Sequence, residues 1–479
     1  MKASFAFSFS LTFLAFVASS HADPKSNTQT DVKERSPITV ENFRDREEVR
    51  YPVVLINGAL DDAAREISAI NTSSTRNSAK QKGLVASGRF KILVELVSGE
   101  NRIQLSDGVS DREIVLTYRP QTNARYVHVV YLTARSGETM YQSPLENDAQ
   151  DFAGKLDTLL KMLQSFTADS MYNNGHGRKT FNLELDDQGK VKIHVVRCKH
   201  DAAHYYALND QDWYREIERE LGEKMADPNA KDFVVAAYSR YEPKLKKTLG
   251  HTALGGGHQA LFGSGNMFTW PTTLSDVQPA FLDERRIDAE RFQDDSAGRN
   301  TYWGAASTTM GACLHELGHA FDLPHTRRPL DIMTRGFDHL NRAFTFVDPP
   351  SGVNHGAVTV TIKNTGRFEP ISADSFAAHD WFTLDARPTA DHGPDLRVRI
   401  ESDDTIIIVE SQTDLNFVGI QIGGDAVHHV VPTAENARRI EIPTAKIPDW
   451  KPDARATVRI VDKLGNVAVK QIERPRRAK

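Results

Sequence analysis

The chain has 479 residues, 39% of them hydrophobic, and its 59 Lys and Arg against 64 Asp and Glu leave a formal net charge of −5. That length predicts two to three domains, each with enough apolar residues for a core, and excludes a disordered tail. The mild charge, spread over both signs, gives no basic surface of the kind nucleic acid requires.

Lys2, a largely apolar stretch from Ala3 to Ala18 and the exit Ser19-Ser20-His21-Ala22 have the charge, core and small residues of a secretory signal. Residues 1–22 are therefore expected to be removed and the mature chain exported, to an extracellular or periplasmic setting. The apolar stretch is shorter than a membrane span and broken by serines, and no later segment has the apolar length to cross a bilayer. Residues 23–36 are polar and without periodicity, which reads as a flexible leader.

From residue 37 to 123 short β-type runs dominate: Pro52–Ile56, Phe90–Val97, Arg102–Leu105 and Arg112–Tyr118, separated by Gly, Asn, Asp and Ser clusters. This alternation predicts an N-terminal β-sandwich. Residues 124–351 change character. Tyr126–Leu132 is the nearly continuous apolar run of a central strand, and Phe152, Leu156, Leu159, Leu160, Leu163 and Phe166 fall on one helical face. A hairpin around Asp187-Gln188-Gly189, a helix near Asp212–Met225 and a strand at Phe233–Ala237 complete an α/β alternation. Residues 352–479 return to β-type runs, including Ala357–Ile362, Leu396–Ile400, Thr405–Val409, Phe417–Ile422 and Ala456–Val461, and predict a second sandwich. The basic end from Arg474 to Lys479 reads as a solvated tail. Two cysteines, Cys198 and Cys313, either pair or stay apart as buried thiols.

The chemistry concentrates in Cys313-Leu-His315-Glu316-Leu-Gly-His319-Ala-Phe-Asp322-Leu-Pro-His325. Residues four apart on a helix share a face, so His315 and His319 can offer two imidazole nitrogens to one ion. Asp322 tolerates the left-handed conformation that ends helices and Pro324 cannot continue one, so the chain turns back and delivers His325. Three imidazoles leave a tetrahedral zinc one open position for water, the arrangement of a catalytic site. Glu316, beside the first histidine, is placed to take the water proton and pass it to a departing amine. With 17 histidines in 479 residues, one falls at a required position by chance about 4 per cent of the time, so the third histidine adds weight to a common five-residue pattern. Ahead of it, Asn300–Cys313 is rich in small residues and predicts a helix buried against a sheet.

His315 to His325 resembles the metzincin signature, with Asp322 standing where metzincins usually carry Gly. That resemblance implies a methionine turn packing beneath the metal, for which Asp331-Ile-Met333-Thr-Arg-Gly336 is suitably placed, with Met333 as a packing floor under the imidazoles and not a ligand. Arg335 occupies the position where several metzincins have a tyrosine, so no tyrosine ligand is implied. Residues from about Tyr126 to Phe344 also resemble a zinc metallopeptidase family spread through fungi and bacteria, on Leu163–Ala168, Met171-Tyr172, Thr252–Gly257, Ala260–Gly265, Trp270-Pro271 and Leu340–Arg342.

The Gly-rich run His251–Gly265 lacks the Gly-Lys-Ser/Thr of a phosphate loop and reads instead as an edge strand bordering a cleft, where a substrate backbone can pair. His204, His251 and His258 read as surface or hydrogen-bonded histidines. The sequence thus predicts a multidomain α+β protein, a metzincin-like α/β catalytic domain flanked by two β-sandwich domains. Its expected activity is hydrolysis of protein or peptide substrates with one catalytic zinc ion. Two rivals are a hydrolase of non-peptide amides and a zinc-containing adhesion protein without catalysis; the presence of Glu316 argues against the latter.

Overall fold

The computed structural model describes residues 36–74, 79–386, 396–401, 405–433 and 437–474. The expected signal, the leader as far as residue 35 and the basic end beyond residue 474 lie outside them. The fold is mixed α/β, with many strands and few helices.

Five strands form the sheet on which the site is built: β1 (Tyr126–Thr133), β2 (Ile193–Arg197), β3 (Ala230–Ala236), β4 (Ala253–Gly256) and β5 (Gln259–Gly263), in the order β2-β1-β3-β5-β4. All neighbours are parallel except β4, which runs antiparallel to β5 at the edge. The continuous apolar run of β1 has a direct cause, because both faces of the sheet are covered. Val127, Val129 and Tyr131 join the core beneath helices α1 (Phe152–Asn173) and α3 (Tyr302–Ala320). Val130 and Leu132 face α2 (Asp210–Met225), through Trp213, Ile217 and Leu221. The segment expected as a hairpin begins as one, at the Leu185–Val191 bridge, but β2 then leaves its partner and pairs parallel with β1. Burying Val196 against the α2 side accounts for the departure.

Cys313 belongs to the core on the α3 side and Cys198 to that on the α2 side, so the thiols are free, buried and separated by the sheet. Burial pushes the Cys198 thiol up to about 12 and that of Cys313 well above its ordinary value, which leaves both inert at neutral pH.

The N-terminal strands form an eight-stranded sheet that doubles back at Gln81–Ala86: its first half pairs with Ile67–Asn71 and its second with Arg89–Glu95. Val54, Ile56, Ile92 and Val94 face the interior of this fold-back, while the alternate residues Val53, Leu55 and Leu93 enter the core with α1. Helix α1 is thus covered on two sides, which is why it buries lysines. Lys161, with 1% of its side chain exposed, reaches Glu95 on the N-terminal sheet (2.7 Å) and Asp157 one turn away (3.0 Å).

Beyond residue 352 the run Ala357–Ile362 pairs as a strand over Val358–Thr359, with Val347–Asp348, and stays exposed or half-buried. A helix follows at Pro370–Ala378, and Phe368, Phe376, Trp381 and Phe382 pack with Phe321 at the end of α3 in the main core. The last strands make a five-stranded and a three-stranded sheet that share a core through Ile407, Val409, Val418, Ile420, Val458 and Ile460. Residues 37–479 cluster as one unit. Among the described residues no helix is long and apolar enough to cross a membrane.

Candidate metal centre

Helix α3 starts at Thr301, whose side chain accepts the Gly304 N–H, and its small residues let backbone approach from several sides. A Cβ on Gly311 would lie 2.0 Å from the Phe337 carbonyl oxygen, and one on Gly318 would lie 2.5 Å from the Met333 sulfur. The helix is therefore held tightly along its length, and Met333, fully buried, is packed against it at the turn carrying His319.

At its end the Asp322 N–H donates to the His319 carbonyl (2.9 Å) and the Leu323 N–H to that of Gly318 (2.9 Å), a Schellman closure with Asp322 at φ 64°. The closure turns the chain so that His325-Thr326 forms a short strand, parallel to Asp425-Ala426 of the C-terminal sheet. A non-glycine residue bears the left-handed conformation here because its carboxylate is used. Asp322 lies 3.3 Å from His379 and 3.5 Å from Arg459, and although burial opposes it, these partners hold its pKa down to about 2.

The three histidines meet. His315 Nε2 and His319 Nε2 are 3.1 Å apart, and His319 Nε2 and His325 Nε2 are 3.2 Å apart. His315 Nδ1 donates to the Ile332 carbonyl and His319 Nδ1 to that of Leu323, each at 2.7 Å. A carbonyl only accepts, so both ring protons sit on Nδ1 and two Nε2 lone pairs point at each other. Such lone pairs repel unless a cation lies between them. Donors at about 2.0–2.1 Å from a tetrahedral zinc are separated by roughly 3.3 Å, close to both of these separations, so the residues fit that ion. Burial lowers the His315 pKa to about 3 and lowers that of His319 as well, which keeps both rings neutral and able to ligate. The Phe337 ring stands edge-on to His315, with centroids 5.0 Å apart.

Glu316 is buried beside them, and burial raises its pKa to about 8 against the opposing Gly255 N–H. Together with His315 it lines a cavity of about 400 Å³ whose walls include Ala253, Trp270, Thr309 and Phe337. The Gly-rich run supplies the other border as β4, the edge strand, lying so close to α3 that a Cβ on Gly255 would fall 2.0 Å from the Glu316 carbonyl oxygen. Gly255→Ala is accordingly expected to push β4 off the helix and lower stability by about 1–3 kcal/mol, as overpacking of a close contact does. Thermal unfolding of the variant beside the parent chain checks this.

His251 faces Asp295 (3.3 Å) on the cavity wall, His204 lies near His200 and Glu216, and neither they nor His258 join the three-histidine set. Arg335 also lines the cavity, paired with Asp338 at 2.8 Å. Sequence reasoning missed the partners of Asp322. Arg459, a buried arginine within the apolar run Ala456–Val461, was the available signal.

Residues 37–415 match the family described as "Putative peptidase family". A protein of Schizosaccharomyces pombe named as a putative zinc metalloproteinase is 28% identical over 381 residues, covering 74% of this chain and 61% of that protein. One of Saccharomyces cerevisiae with the same description is 28% identical over 323 residues, covering 59% and 44%. The chain thus spans about three-fifths and under half of the lengths of these relatives. Among solved structures, OgpA from Akkermansia muciniphila aligns over 74% of this chain and 92% of its own, at 17% identity and a TM-score of 0.46.

Proposed function

The chain belongs to that peptidase family, and from this premise we propose that it is a metzincin-like zinc metalloendopeptidase in which His315, His319 and His325 hold the ion and Glu316 is the general base. The observation that carries the reading is the convergence of Nε2 atoms whose Nδ1 protons are already committed to carbonyls, beside a buried carboxylate in the same cavity. When bound, zinc would supply a polarised water and a Lewis acid for the substrate carbonyl. Glu316 takes the proton of that water and delivers it to the leaving nitrogen. The Gly255 N–H restrains its carboxylate, and the buried surroundings make proton transfer between near-matched groups efficient. A substrate backbone adds to the open edge of β4, and the cavity beside Glu316 receives a side chain next to the scissile bond. The proposed setting is extracellular or periplasmic, on the apolar run and small-residue exit of residues 1–22.

Digestion of a broad peptide library, with and without chelator, tests the assignment. We expect internal cleavage that a chelator abolishes and added zinc restores. A zinc-loaded chain that leaves every peptide intact would overturn it in favour of a non-peptide amide hydrolase or a binding protein.

A further inference from the structure

On the face of the central sheet opposite α3, His128 on β1 and His194 on β2 converge with Glu184, which precedes β2. The parallel registers place them there. Asp232 on β3 is the direct partner of His128, and His194 aligns with Val130, two residues along the same face. His194 Nε2 is 2.7 Å and His128 Nε2 is 3.7 Å from one Glu184 oxygen, Oε2, and the two rings stand 4.9 Å apart.

The convergence of two ring nitrogens and a carboxylate oxygen is what suggests an ion. His128 Nδ1 lies 3.3 Å from Asp232 Oδ1, and a ring that donates its Nδ1 proton to that carboxylate turns Nε2 toward Glu184 as a ligand atom. His128 Nε2, His194 Nε2 and Glu184 Oε2 then offer one ion three ligand atoms that lie within 4.8 Å of one another. Carboxylate, histidine and ion in line is the arrangement by which metal sites fix their imidazoles. Lys192 occupies the other Glu184 oxygen, Oε1, at 2.7 Å, leaving Oε2 for the shared position. The 2.7 and 3.7 Å separations bracket the roughly 3.3 Å between donors around a tetrahedral zinc. Side-chain exposures of 8, 22 and 24% for His128, Glu184 and His194 leave a path for the ion and a water. The cluster of His200, His204 and Glu216 differs on this point, because Arg219 sits 2.7 Å from Oε1, the Glu216 oxygen the two histidines face.

We propose that His128, His194 and Glu184 form a second metal site, taking a divalent transition-metal ion of the zinc class with water as fourth ligand and Asp232 orienting His128. The ion ties β1, β2 and the segment before β2 together, on the other side of the sheet from the α3 histidines.

Metal analysis of the full chain after dialysis against zinc at neutral pH tests this independently of the α3 site. His194→Ala, on the sheet's edge strand, is expected to hold one zinc fewer than wild type, and His315→Ala/His319→Ala is expected to keep one ion that vanishes when His194→Ala is added. Equal zinc content in wild type and folded His194→Ala would overturn the proposal, leaving His128 as a hydrogen-bonded ring between two carboxylates. Should His194→Ala misfold, cobalt loading of His315→Ala/His319→Ala decides: tetrahedral visible absorption supports the site and its absence rejects it.

Discussion

Glu316→Gln is expected to lower peptide hydrolysis by about 10²–10⁴-fold while leaving the zinc content unchanged, the range spanned by loss of a positioned general base. The amide has the shape of the carboxyl and its oxygen can still accept the Gly255 N–H, but it cannot take a proton from water. Burial already disfavours the charged carboxylate, holding its pKa near 8 in the protein alone, so a neutral replacement brings no desolvation penalty. The melting temperature should therefore hold or rise while kcat falls. If His315, His319 and His325 are the ligands, the variant binds zinc as wild type does. Retained turnover would show that another group takes the proton, and loss of zinc would show that Glu316 coordinates.

The parts of this site that rest on local geometry were legible in the sequence. Two histidines one turn apart, a carboxylate beside the first and a turn-forming Asp before Pro324 all lie within a dozen residues, where helix periodicity and capping rules apply. The run of small residues before Cys313 likewise announced a helix under close packing, and the structure shows why in the approach at Gly311. What stayed hidden depends on residues distant in the chain. The carbonyls of Ile332 and Leu323 that set the ring tautomers are backbone groups and carry no sequence signal. The doubled role of the N-terminal strands, with Val53 and Val54 entering different cores, looks in sequence like any apolar run. The aromatic residues from Phe368 to Phe382 fall in the stretch whose β-type runs predict a second sandwich, yet they complete the core around Phe321. Burial against α3 decides their place, and it is a tertiary fact.

The C-terminal sheet is tied to the metal centre at two points, and Asp322→Ala probes both. His325 pairs through its strand with Asp425, and Asp322 binds Arg459 on the Arg455–Asp462 strand, two strands further along the same sheet. Alanine at φ 64° incurs a left-handed penalty of about 1–2 kcal/mol. It also leaves Arg459, 7% exposed, without its carboxylate; with the Asp322 side chain itself 44% exposed, that loss is well below the 3–5 kcal/mol of a fully buried pair, and roughly 1–2 kcal/mol is expected. The combined destabilisation should be about 2–4 kcal/mol in thermal or denaturant unfolding. Because the same turn aims His325, zinc affinity measured by chelator competition should fall about 10–100-fold, as when an orienting partner of a metal ligand is removed. Asp322→Gly separates the causes: it relieves the backbone but still strands Arg459, so its stability should fall between wild type and Asp322→Ala. A glycine variant equal to wild type in both stability and zinc affinity would mean that the carboxylate contributes nothing and that the turn needs only a residue tolerant of positive φ.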